Sequence, residues 1–247
     1  MGTMRRWARA LELVRLRELA IAAEACPLCG FPLVVRLRTA DIGVRCMRCG
    51  ASAIAQSFVA VLRDLPVELA RCSVHELSSS GPVVDYLRMH AGRITTSEFL
   101  EDVARGSARD GVRCENVEAL TFSDRSFDLC TSTEVFEHVE NDRAGFAEVL
   151  RVLRPGGYIV FTVPLLSSAN TVERTAIVDG VRVQTLPPEY HADRFRGSTV
   201  FCYRNYGHDI VERLSTAGFA DPRLVRPDLQ LFGFARSVVI ARRAGQR

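Results

Sequence analysis

The stretch Ser126–Pro164, SFDLCTSTEVFEHVENDRAGFAEVLRVLRPGGYIVFTVP, constrains the fold more than any other. Phe127–Ser132 is a short run of buried-strand length, and Tyr158–Val163 is a second, rich in β-branched and aromatic residues. Between them Phe146, Val149, Leu150 and Leu153 recur at helical spacing, and Arg154-Pro155-Gly156-Gly157 ends that helix. Strand, helix and strand at this spacing form a right-handed βαβ crossover, with both strands parallel in one sheet. Thr133-Glu134-Val135-Phe136-Glu137-His138 then falls at the carboxyl end of the first strand, where open α/β sheets bind their ligands.

At 247 residues the chain is long enough for a full α/β core and a small accessory module. No apolar run approaches the roughly 18 residues of a membrane helix. The first residues are arginine-rich, but Glu12, Glu18 and Glu24 interrupt them and no apolar signal core follows, so a cytoplasmic protein without membrane contact is expected. All 32 basic side chains are arginine, a bias that GC-rich coding explains. With a net charge of only +3 and acids interspersed, nucleic-acid binding is allowed but not demanded. Nothing in the sequence fixes the oligomeric state.

Four of the eight cysteines form two close pairs, Cys26-Pro27-Leu28-Cys29-Gly30 and Cys46-Met47-Arg48-Cys49-Gly50, with sixteen residues between them. Two residues between thiolates let a tight turn aim both at one tetrahedral ion, and the glycine after each pair relieves that turn. The spacing is that of a zinc ribbon with Cys26, Cys29, Cys46 and Cys49 as ligands. Four thiolates leave no open position, so the zinc is structural. The redox alternative lacks a thioredoxin-like βαβ pattern around either pair. Phe31–Val44 reads as a hairpin, and Met1 to about Ala23 as a helix with Trp7, Leu11, Val14, Leu19 and Ile21 on one face. Ala51–Pro66 is a moderately helical link, which places a module at 1–65 and a main domain at 66–247. Cys72, Cys114, Cys130 and Cys202 are scattered as small core residues.

The runs FDLCTSTEVFEHV and LRPGGYIVFTVP resemble the fourth and fifth strand motifs of class I S-adenosylmethionine-dependent methyltransferases, and the similarity extends over roughly Arg71 to Arg243. The resemblance implies a Rossmann-like, seven-stranded α/β sheet beside the small N-terminal zinc ribbon, with S-adenosylmethionine as cofactor. Arg71–Leu77 is then the first strand, Ser78-Ser79-Ser80-Gly81-Pro82 its turn, and Val83–His90 the first helix. In the family this turn carries an acid and an ExGxGxG run. Glu76 matches the acid; Ser78, Ser80 and Pro82 stand in place of glycines, and Gly81 is one position out of step. Arg93–Glu98 is the second strand, whose closing Glu98 the family uses on the ribose hydroxyls. After the third strand, Gly111–Glu115, Asn116 takes the position that accepts from the adenine amino group and Val117 offers its backbone N–H. Thr133, at the end of the fourth strand, helps to seat the cofactor. Leu120, Phe122 and Phe127 read as core.

Methyl transfer to an alcohol or acidic carbon needs a base, and Glu134, His138 and His191 are the candidates. Glu134 and His138, four residues apart, are expected to share one face of a helical turn. Leu165–Phe201 reads as a long irregular lid in which Tyr190, His191 and Asp193 would grip a polar acceptor. Tyr203–Gly218 reads as a helix and Arg236–Ala241 as the last, antiparallel strand. The Glu134-x-x-Glu137-His138 run is similar to that of quinone-biosynthesis O-methyltransferases, which implies Mg²⁺ or Mn²⁺ on those three side chains. The acceptor expected is small and polar: a sugar, a glycan end or a secondary metabolite. Two other readings stand beside it. The CPLC ribbon resembles that of certain ribosomal RNA guanine methyltransferases, and the altered glycine turn suits a non-catalytic protein- or RNA-binding module.

Overall fold

The computed structural model describes Met4, residues 13–193 and residues 198–245. The main sheet contains β1 (Ser73–Glu76), β2 (Arg93–Glu98), β3 (Ala108–Arg109), β4 (Val112–Cys114), β5 (Phe127–Thr133), β6 (Leu153–Thr162), β7 (Ala220–Val225) and β8 (Val238–Arg242). Their order is β7-β8-β6-β5-β1-β2-β4-β3. β4, β2, β1, β5 and β6 are parallel neighbours. β8 runs antiparallel to β6, and β7 antiparallel to β8. The seven strands of the class I methyltransferase sheet are therefore present, and the two-residue β3 adds an antiparallel edge. Strand order runs outward from β1 on one side and from β5 on the other. The switch point lies between them, at Glu76 and Thr133.

The central strands alternate between two cores. Leu129 and Val160 face α1 (Ala53–Arg63) and α2 (Pro82–His90) through Phe58, Leu62, Val83 and Leu87. Cys130, Ile159 and Phe161 face α3 (Asp142–Val152) and α4 (Ile210–Thr216) through Phe146, Val149, Ile210 and Leu214. The helix before Arg154-Pro155-Gly156-Gly157 ends as expected, but β6 starts at Leu153 rather than Tyr158. The register jumps from Phe127↔Leu153 to Leu129↔Tyr158, so the proline and glycines form a bulge inside an extended strand. Gly157 is required there, because a Cβ would lie 2.8 Å from the Asp128 carbonyl oxygen.

The N-terminal module departs further from expectation. Ala20–Ala23 is a strand, antiparallel to Leu33–Arg36, which in turn pairs with Val44–Cys46. The helix expected from Met1 to Ala23 is therefore wrong over its last turn, where pairing satisfies the backbone of an otherwise open edge; residues 5–12 lie outside the described residues. Among residues 13–19 the structure has a three-residue 3₁₀ turn, Leu16–Glu18, before the strand. Val35 and Leu37 of the ribbon form a small cluster with Leu13, Val14 and Met47, but the cysteine end shares the main core. Cys26 and Cys46 belong to one buried cluster with Phe58 of the linking helix and Val160, Val238 and Ile240 of the sheet.

The long connection after β6 is built from three antiparallel pairs: Val172–Glu173 with Arg204–Asn205, Thr175–Val178 with Val181–Gln184, and Tyr190–Asp193 with Ser198–Phe201. The helix expected over Tyr203–Gly218 shortens to α4. Among the described residues no helix is long and apolar enough to cross a membrane.

Arg204 ties this connection to the ligand edge of the sheet. It is 3% exposed. Its guanidinium donates to the carbonyls of Phe136, Val139 and Glu140 and pairs with Glu173. Asp142, close by, accepts from Tyr206 and Arg213. Removing one member of such a buried network strands the others, at a cost of about 3–5 kcal/mol. Arg204→Ala is therefore expected to lower the urea midpoint substantially, whereas the exposed Arg71→Ala should leave it within error.

Candidate active site

The carboxyl ends of β1 and β2 hold the first half of the site. Glu76 is fully buried; its Oε2 accepts from the Thr131 hydroxyl, and its Oε1 has no partner. Burial pushes its carboxyl up to about 8, with the Thr131 bond and the nearby Ser78 hydroxyl opposing the shift and the Glu98 charge adding to it. The turn that follows places Gly81 at φ +126°, with nothing within 4 Å of where a Cβ would be. That is a conformation only glycine adopts freely, over open space. Glu98, at the end of β2, reaches back to this turn. Its Oε1 accepts from the Ser79 backbone N–H at 2.7 Å and the Ser79 hydroxyl at 2.9 Å. Ser79, rather than Ser78 or the exposed Ser80, thus fixes the turn against the second acid. Its place in the SSSGP run gave no sign of that.

Beside this turn is a cavity of about 200 Å³ whose wall includes Glu98, Phe99, Asn116, Val117, Val135 and His138. Asn116 caps the short turn Val117–Ala119, its Oδ1 accepting from Glu118 N–H at 2.9 Å. A carbonyl oxygen has a second lone pair, so this bond leaves Asn116 one acceptor direction. An orphaned buried carboxylate oxygen, an open glycine cradle and a cleft at the switch point fit a cofactor with a charged amino end and an adenosine end. Glu76, Gly81, Glu98, Asn116 and Val117 are the residues that would hold it.

The second half is the corner after β5. Glu134 sits at φ +54°, a left-handed conformation that non-glycine residues adopt only under constraint. Its Oε1 is sealed from water and unpartnered. Burial, then the nearby Glu137 charge, raise its carboxyl to about 8. Because Glu134 is left-handed and the 3₁₀ turn begins only at Phe136, Glu134 and His138 do not share a helical face as expected. The side chain that joins the corner is His191, carried in on the strand Tyr190–Asp193. Glu137, His138 and His191 bring their ligand atoms within 4.8 Å of one another, and Glu134 is not part of that group. Magnesium on Glu134, Glu137 and His138 is therefore not supported: the side chain gathered beside Glu137 and His138 is an imidazole from the distant hairpin. Glu137, and then Glu189, raise His191 to about 9 against the opposing effect of burial. Tyr190 is 56% exposed, with its ring against Phe201 rather than in the cleft. The Asp193 side chain lies outside the described residues.

The ribbon cysteines converge as the spacing predicts. Cys26 Sγ is 3.8 Å from Cys49 Sγ, and Cys29 Sγ is 3.6 Å from Cys46 Sγ. Four sulfurs about 2.3 Å from a tetrahedral zinc would lie about 3.8 Å apart. The set fits the ion.

Comparison with known proteins agrees with this geometry. Residues 76–161, from the Glu76 edge through β6, match the profile of the methyltransferase domain family. The chain carries a methyltransferase domain. A Haloferax volcanii methyltransferase solved in complex with the Trm112 activator shares its fold, with a TM-score of 0.51 at 16% identity over 78% of this chain and 91% of that one. An S-adenosylmethionine-dependent methyltransferase from Mesorhizobium loti aligns at 22% identity over 76% of this chain and 98% of that chain, TM-score 0.49. The glycopeptide N-methyltransferase MtfA, solved with S-adenosylmethionine, aligns at 19% identity over 79% and 95%, TM-score 0.49. No curated protein sequence matches this methyltransferase.

Proposed function

We propose that this methyltransferase moves the methyl group of S-adenosylmethionine to a small polar acceptor, such as a sugar, a glycan end or a secondary metabolite. The observation that carries the reading is the cluster of Glu137, His138 and His191 beside the cofactor cleft, whose wall also includes Val200 and Tyr203 of the tail. A cavity of about 200 Å³ whose wall includes carboxylates and an imidazole suits a small hydroxyl- or amine-bearing molecule better than a folded RNA.

In this reading Glu98 holds the ribose, Asn116 and Val117 the adenine, and Glu76 with the turn of Ser78, Ser80 and Gly81 the methionine end, with Thr133 closing the seat. When bound, the cofactor supplies a methyl group on a sulfonium, and the chain's task is alignment and exclusion of water. Glu134, half-buried, left-handed and raised to about 8, is the candidate to take a proton from the acceptor, with His138 and His191 as the neighbouring bases. The four ribbon cysteines hold a structural zinc.

Calorimetry with S-adenosylmethionine and S-adenosylhomocysteine tests the donor directly, and binding of neither would sink the reading. Glu98 is predicted to contribute charge-assisted hydrogen bonds of about 1.5–3 kcal/mol, so Glu98→Ala should weaken affinity roughly 10- to 100-fold. Unchanged affinity would remove Glu98 from the cofactor site. Turnover screens with small acceptors against structured RNA then separate the acceptor classes, because RNA binding should fall steeply with salt and small-acceptor turnover should not.

A further inference from the structure

The imidazoles of His138 and His191 are arranged as metal ligands are. His138 Nδ1 lies 2.8 Å from the carbonyl oxygen of Phe201, which can only accept, so Nδ1 carries the hydrogen and Nε2 keeps the lone pair. His191 Nε2 lies 3.0 Å from Glu189 Oε1, which likewise leaves Nδ1 as the other nitrogen. Both remaining nitrogens face one carboxylate oxygen: Glu137 Oε1 is 3.6 Å from His138 Nε2 and 3.8 Å from His191 Nδ1. These distances are too long for hydrogen bonds. Glu137 is 1% exposed, yet neither of its carboxylate oxygens has a hydrogen-bond partner. A buried carboxylate with no hydrogen bond and only two long imidazole contacts is costly unless a cation draws the three groups together. The two rings stand perpendicular with centroids 4.9 Å apart, so their lone pairs converge from different directions.

We propose that Glu137, His138 and His191 form a divalent transition-metal site of two imidazoles and one carboxylate beside the cofactor cleft. Ligands about 2.0–2.2 Å from a tetrahedral ion lie about 3.4 Å apart. The two carboxylate–imidazole separations are within a few tenths of an ångström of that, and the two imidazole nitrogens, within 4.8 Å of each other, close onto the ion by a further ring movement. Each histidine already has the outer partner that orients metal-bound imidazoles, a backbone carbonyl for one and a carboxylate for the other. The nitrogen-rich set selects Zn²⁺ or a neighbouring ion over Mg²⁺. Three protein ligands leave a position open, where an acceptor hydroxyl would bind and lose its proton more readily. Cys202, near Glu189 and His191, is outside the set: its Sγ is 3.1 Å from the carbonyl oxygen of Arg204. The site itself stands whether or not the acceptor reading is right.

The test uses the full chain, saturated with Zn²⁺, desalted and analysed for metal by mass spectrometry. Two equivalents are expected in the wild type, one in the ribbon and one here. His191→Ala and Glu137→Gln should each retain one, with unchanged circular dichroism; should His191→Ala fail to fold, His138→Gln should show the same loss. Refilling with Co²⁺ should give a thiolate charge-transfer band from the first equivalent and only ligand-field bands from the second. One equivalent in the wild type, two in every folded variant, or thiolate absorption from the second equivalent would overturn the proposal.

Discussion

Cys46→Ser is expected to unfold the sheet as well as the ribbon. Cys46 and Cys26 are 0% and 1% exposed and pack in the cluster that includes Val160, Val238 and Ile240 of the sheet. In small metal modules the zinc-binding free energy, about 10–16 kcal/mol, is folding free energy. The net stability of an ordinary domain is only about 5–15 kcal/mol. Breaking the site therefore removes more than one module can spare, and the shared core transmits the loss. A ribbon that hung on a linker would give two separate melting steps, with the sheet unaffected. Here a single transition is expected, lowered strongly by Cys46→Ser and by chelator alike. Calorimetric scans check it: an unchanged main transition after zinc removal would show that the two layers melt independently.

The parts legible in the sequence were those in which local pattern and tertiary need agree. The bounds of Arg93–Glu98 are legible because the run ends in an acid at the carboxyl end of the strand. The cysteine pairs were legible because their chemistry is carried by spacing alone. Two kinds of information were hidden. One is a short turn inside a long connection: Asp179-Gly180, with φ of +50° and +77°, is the two-residue hairpin turn joining Thr175–Val178 to Val181–Gln184. Reading it would have replaced a loop by a hairpin. The other was long-range. Nothing local says that His191 returns to Glu137 across more than fifty residues, or that Arg204 caps three carbonyls of the turn ending near His138. Such contacts are set by how the tail folds over the sheet, and periodicity does not encode them.

Cofactor affinity is expected to rise with pH, and Glu76 is the reason. Burial holds its carboxyl at about 8 against an ordinary 4.5, so below that value the free protein carries it protonated. A carboxylate that pairs with the cofactor's ammonium must first lose that proton. Each unit of pH below about 8 then costs about tenfold in affinity, equivalent to about 1.4 kcal/mol. S-adenosylhomocysteine should accordingly bind about tenfold more tightly at pH 7.5 than at pH 6.5, with a proton released that buffers of different ionisation enthalpy reveal. Glu76→Gln should lose affinity and flatten the dependence together. Stability moves the other way. A folded pKa above the unfolded one gives a contribution that is complete below about 4.5 and is lost as pH rises through about 8. The Gln variant should therefore gain on the wild type as the pH is raised, in thermal melts without cofactor. If affinity is flat with pH in the wild type while the melts behave as stated, Glu76 is a buried acid that does not touch the cofactor. If the melts are flat too, its carboxyl is not sealed from water as the structure places it.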